Sequence, residues 1–268
     1  MNKKDILKLA GDPRFIPGIY NYCDCWCERC PYTSRCLVYA KEQEDMDDPA
    51  TRDINNEAFW QKIHSIFHQT LEMITEMTEE QGIDLESLEV ESEIEEEKKH
   101  QDEAQNHELS QAALRYSNMV DEWFDSEKEL FEQKDEELIT KLELGITDTE
   151  TDAEAESIID AVEVIRWYQH QIFVKLMRAL IQDDLDQFEE ENNSPNDSDG
   201  SVKVALIGMD RSISAWGKLR NHFPEKTDDI LSILPHLDRL RRKTEKEFPN
   251  ARSFVRPGFD SIPEDHDN

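Results

Sequence analysis

All five cysteines lie in one short stretch, YNYCDCWCERCPYTSRCLVYA, as Cys23, Cys25, Cys27, Cys30 and Cys36. Clustered thiols can hold a metal, exchange electrons or form disulfides. A disulfide scaffold spreads an even number of cysteines through the chain to close long loops, which this pattern does not do. Omitting Cys25 leaves C-x3-C-x2-C-x5-C, and omitting Cys23 leaves C-x-C-x2-C-x5-C. Four thiolates this close can wrap a cubane, the ligand set that a [4Fe–4S] cluster requires. Zinc also accepts four thiolates, but usually from two facing C-x2-C knuckles, and only Cys27/Cys30 forms one here. The expectation is therefore a [4Fe–4S] cluster on Cys23, Cys27, Cys30 and Cys36, with Cys25 as the alternative ligand and zinc as the alternative metal. Cys23 is preferred because the longer x3 step leaves the loop slack to curl. Tyr20, Tyr22, Trp26 and Tyr32 either form a dry collar around the centre or dock the module on the rest of the chain.

The run Cys27-Glu28-Arg29-Cys30-Pro31-Tyr32-Thr33-Ser34-Arg35-Cys36 resembles the C-x-x-C-P-[FY]-x-x-x-C end of the iron–sulfur staple in RecB-like exonucleases, among them the CRISPR-adaptation nucleases. The resemblance covers ten residues, and it implies iron–sulfur ligation by Cys27, Cys30 and Cys36. It stops there. In those nucleases the remaining cysteine lies far upstream, across the nuclease core, whereas Cys23 and Cys25 sit beside the set. The chain also carries no α/β nuclease core with its acidic–lysine metal motif.

A second group of polar residues falls on apolar helical stripes. Glu127 lies mid-stripe among Tyr116, Val120, Trp123, Phe124, Leu130 and Phe131, where a carboxylate needs a partner or a proton. Gln169 is also mid-stripe, flanked by Glu163, Arg166 and His170 at helical spacing. The simpler solution is a Glu127–Arg166 pair that fixes register, with Gln169 and His170 nearby. The alternative is a bundle-core enzyme site using Glu127, Glu163 and His170, with Asp210. A ferritin-like di-iron site is excluded by the absence of Glu-x-x-His on a bundle helix, since Glu97/His100 lies in an acidic tract. His64 and His68 face solvent. There is no nucleophile elbow, phosphate loop or dinucleotide fingerprint, so no catalytic residue is assigned.

The elements that would position these groups read as all-α. Residues 1–50 form a cysteine-rich metal module, broken by Pro13, Pro17, Gly18 and Pro31. Residues 51–250 form a helical bundle, and 251–268 an irregular tail. Apolar residues recur at helical steps over 57–81, 109–144, 150–189, 202–222 and 226–248. Gly82 stops the first helix, and Pro235 should kink or split the last. The expected architecture is the cysteine module packed on an up-and-down four-helix bundle with an extra kinked C-terminal helix. An acidic loop or solvated helix occupies 86–108, and a flexible linker 190–201. Gly208, Ser212 and Ala215 form a small-residue stripe that should let helices approach closely.

Charge narrows the partners. The chain has 62 acidic and 30 basic residues, a net −32. Such a surface repels phosphate backbones and anionic lipid, which argues against direct nucleic-acid or membrane binding. It suits a basic protein partner, although solubility alone accounts for it. Met-Asn-Lys-Lys leads into no long hydrophobic run, so neither a membrane span nor an export signal is expected. Clustered thiols without an export signal fit a cytoplasmic, bacterial metal-binding protein.

Overall fold

The computed structural model describes residues 11–45, 51, 54–82, 90–144, 149–186 and 197–260. The chain is all-α, and the described residues contain no strand. The helices are α1 (Leu37–Asp45), α2 (Glu57–Gln81), α3 (Val90–Asn106), α4 (Glu108–Ser126), α5 (Lys128–Glu143), α6 (Thr149–Asp186), α7 (Asp197–His222) and α8 (Thr227–Glu247). Short 3-10 turns occur at Cys27–Arg29, Thr33–Arg35, Pro224–Lys226 and Ala251–Ser253. The chain divides into two compact units, residues 1–96 with 255–268, and residues 97–254. The C-terminal segment is thus no separate tail, because its described residues 255–260 belong with the cysteines.

Local signals account for the helix ends. Asn56 caps α2 by accepting the Ala58 N–H at 3.0 Å, and Gly82 closes it with φ 69, the left-handed conformation glycine adopts without Cβ strain. In the acidic tract, residues 90–106 are helical as α3, and 83–89 lie outside the described residues. Of the expected linker, 190–196 lie outside them, and 197–201 form the start of α7.

In the larger unit, α6 and α7 share the longest contact, α4 packs on α6 and on α8, and α8 returns to α7. Ile165, Tyr168, Ile172 and Leu176 of α6 and Ala205, Gly208, Met209 and Ser212 of α7 are all buried, and Gly208 lies against Tyr168 and Ile172. Gly208 is needed there, since a Cβ would stand 2.8 Å from Tyr168 Cδ1. The small-residue stripe does bring two helices close.

Three expectations are corrected. The helix drawn as 109–144 turns at Glu127, where α4 ends and α5 begins. Ser126 back-bonds to the Trp123 carbonyl at 2.9 Å, and Phe131 stacks on Phe124 with centroids 5.7 Å apart. The last helix runs unbroken through Pro235, an exposed position on α8, so the Leu231 carbonyl that loses its donor can bond water. Most consequentially, the helices packing together in the larger unit are α4, α6, α7 and α8. Helix α2, expected as the first bundle helix, belongs to the other unit and carries its apolar stripe outward, with Trp60 56%, Phe67 66% and Leu71 63% exposed.

Candidate metal centre

The first unit is built around the cysteines. Gly18 takes φ 72, and the Ile16 N–H bonds the Arg35 carbonyl at 3.0 Å, drawing the two ends of the cysteine segment together. Ile19, Tyr22 and Trp26 are buried, and the Arg29 guanidinium lies 4.1 Å over the Trp26 ring. Residues 255–260 close the unit. Gly258, at φ 76, passes so near Ile16 and Ile19 that a Cβ there would stand 3.0 Å from both Cδ1 atoms, and Phe259 meets Tyr32 edge-on at 5.2 Å.

All five thiols line one cavity of about 30 Å³, with Tyr20, Trp26, Tyr39 and Phe259 on its walls. That is roughly twice the space one water needs. Cys27 and Cys30 are joined by a 3-10 turn, with the Cys30 N–H bonding the Cys27 carbonyl at 3.2 Å. Two sulfurs already accept backbone hydrogen bonds: Cys30 Sγ from the Tyr32 N–H at 3.4 Å, and Cys36 Sγ from the Tyr39 N–H at 3.5 Å. Cys36 also immediately precedes the first turn of α1. None of the cysteines is in a disulfide. Cys23, Cys27, Cys30 and Cys36 are half-buried, whereas Cys25 is exposed.

Electrostatics group the same four. Burial pushes the Cys27 thiol up to about 11, with further contributions from Glu42, Cys23, Cys30 and Cys36. Burial also raises Cys30, opposed by the Tyr32 N–H, and Cys23, Asp24 and Cys36 raise it further. Cys27 and Cys30, which resist ionising beside the neighbouring thiols, are groups a cation would relieve, because a bound cation inverts this cost. Cys25 stands apart in its backbone. It sits 3.7 Å from Cys23, Sγ to Sγ, on a left-handed backbone with φ 56. A separation of 3.7 Å matches the edge of a single zinc–thiolate tetrahedron, about 3.8 Å for bonds near 2.3 Å. In a cubane each iron takes its own thiolate, so only one of Cys23 and Cys25 would serve. Among the described residues, no three His, Cys, Asp or Glu side chains converge closely enough to hold one ion. The donor chemistry therefore suits a thiolate-ligated group, with the sulfurs spread around a cavity.

The second candidate cluster comes apart. Glu127, buried, pairs with Lys226 at 2.7 Å, so Arg166 is not its partner. Arg166 binds Asp121 at 2.6 Å and lies 4.3 Å over the Phe124 ring. Gln169 donates to Asp121 at 3.2 Å and stands 2.8 Å from His170 Nε2. His170 Nδ1 meets Ser117 Oγ at 2.9 Å. Glu163 is exposed, and Asp210 pairs with Arg241 and Arg252. Arg166, Gln169 and His170 thus adjoin, while Glu127 and Asp210 bind elsewhere. Stripe position puts Glu127 indoors but cannot choose between cations 39 and 99 residues away. His64 and His68 are exposed on α2. Phe259 lines the thiol cavity unforeseen, since nothing local marks a residue more than 200 positions away as part of the cysteine unit; Tyr39, three residues after Cys36, is within local reach.

Fold and site together define an all-α protein with a thiol-lined cavity close to its first residues. No protein-family model, no curated protein and no solved structure matches the chain. Among the described residues no helix is long and apolar enough to cross a membrane.

Proposed function

We propose that the cysteine unit holds a [4Fe–4S] cluster on Cys23, Cys27, Cys30 and Cys36, serving redox sensing, electron transfer or structural stapling in a reducing cytoplasm. One observation carries this reading: five thiols line a single cavity, and four of them are half-buried. The N–H groups aimed at Cys30 and Cys36 and the aromatic walls support it, since hydrogen bonds to sulfur and burial tune such centres. Once bound, a cluster of this kind supplies one-electron chemistry. In the same reading α4, α6, α7 and α8 are a four-helix bundle that makes up the second unit.

The test is an absorption spectrum of anaerobically purified protein, with iron, sulfide and zinc assayed on the same sample. A broad band near ~400 nm with about four irons and four sulfides per chain, as Cys₄ cubane ligation implies, is the expected result. One zinc without colour would replace the cluster with a structural zinc site. A second reading rests on α3, whose glutamates at 95, 96 and 97 are exposed. It offers a basic partner an acidic helix, and binding should weaken steeply as salt rises.

A further inference from the structure

We infer that α2 is a self-association helix, through which two copies of this chain pair antiparallel. Trp60, Ile66, Phe67, Leu71, Ile74 and Met77 are all exposed on one 25-residue helix. Isolated helices gain little stability from propensity alone and depend on covering an apolar face. Six side chains of about 200 Å², each roughly half exposed, leave on the order of 600 Å² per copy. Two such faces total about 1,200 Å², the lower end of a specific interface, and about 600 Å² on one copy is at the top of what a soluble monomer commonly exposes in one patch.

The face is complementary to itself. Trp60, Ile63, Phe67, Thr70, Ile74 and Met77 follow one another at alternating steps of three and four, the spacing of a coiled-coil seam. Reversing the helix reproduces the seam. Trp60 then lies opposite Met77, Ile63 opposite Ile74 and Phe67 opposite Thr70, the two numbers adding to 137 in each pair. The layers align without a gap.

Charge selects the orientation. Residues 57–68 hold only Glu57 and Lys62 and are neutral, whereas 69–81 hold Glu72, Glu76, Glu79 and Glu80, a net −4. Parallel pairing would set four carboxylates beside four carboxylates. Antiparallel pairing sets each acidic half beside a neutral one. It also corrects a mismatch within the helix, because Glu79 and Glu80 sit at their own negative C-terminus, where the dipole opposes them. In the antiparallel pair they lie beside the partner's positive N-terminus.

Full-length protein should elute with a light-scattering mass of twice 31.4 kDa at high loading concentration and dissociate on dilution. Phe67→Glu with Ile74→Glu should give a monomer at every concentration, while Ser65→Glu, a single added carboxylate on the opposite face, should leave the dimer intact, as single Phe67→Glu should not. Orientation is read without any disruptive variant, from a photo-crosslinking residue placed at Gln61. Adducts on residues 74–78 of a second copy are expected. Adducts on 57–65 would overturn the antiparallel pair. A monomeric wild type, or crosslinks only to residues 97–254 of the same chain, would overturn self-association.

Discussion

Replacing Gly208 with alanine puts a methyl group 2.8 Å from Tyr168 Cδ1 and 3.3 Å from Ile172 Cγ1. Non-bonded carbons rest at about 3.5–4.0 Å, so the contact falls short by up to roughly 1 Å. Tyr168 cannot swing away. Its ring is 1% exposed, and its hydroxyl accepts a hydrogen bond from Arg211. The strain must separate α6 from α7, and overpacking of this kind costs about 1–3 kcal/mol. Alanine recovers about 1 kcal/mol of helix propensity, leaving a net loss of up to about 2 kcal/mol. Gly217 provides the internal control, because it lies on the same helix with nothing within 4 Å of a Cβ. Gly217→Ala should gain up to about 1 kcal/mol from propensity alone. Urea unfolding followed by far-UV ellipticity should therefore move the two midpoints in opposite directions. If Gly208→Ala stabilised the protein as much as Gly217→Ala, the helix approach would not depend on Gly208 and the reasoning would fail.

Tyr116 is fully buried and accepts a hydrogen bond from Trp216 at 3.1 Å, and burial pushes its phenol from 10.0 up to about 12. A raised folded value means its contribution is complete below pH 10 and lost as pH climbs towards 12, on the order of 2–3 kcal/mol in all. Tyr116→Phe should flatten that alkaline limb in urea titrations, and an unchanged limb would place its origin elsewhere. Glu137 is held below the usual carboxylate range by hydrogen bonds from Lys141 and Lys134. Its contribution is present above pH 4.5 and lost as pH falls through the lowered value, so Glu137→Gln should shrink the acid-induced loss of stability, measured by the same titration in acid. Cys27→Ser, Cys30→Ser and Cys36→Ser should each abolish the visible band of the purified protein, whereas Cys25→Ser should retain it. An intact band in Cys30→Ser would refute the ligand assignment.

Local sequence carries much of the fold. The Asn56 cap, the apolar steps and the Gly82 stop of α2 act within a few residues of one another, so the helix appears at its expected bounds. The spacing of Cys27, Cys30 and Cys36 likewise needs only ten residues to bring thiols to one place. The turn at Glu127 is not legible in the same way, because both flanking segments keep helical periodicity and only Phe131 stacking on Phe124 rewards the bend. Periodicity puts Glu127 indoors, but its cation comes from Lys226, at the start of a helix that sequence cannot place beside it.

By itself, then, the sequence determined an all-α chain, the termini of α2, a large net negative charge and a local concentration of thiols, because these depend on backbone propensity, capping and side-chain chemistry over a few turns. Tertiary structure alone decided that α8 packs with α4 and α7 while α2 belongs to the other unit, that residues 255–260 join the cysteines, and that Tyr116 meets Trp216. Two amphipathic helices look alike in sequence. Which of them is buried depends on fitting surfaces contributed by residues a hundred positions apart, and that information resides in no local window.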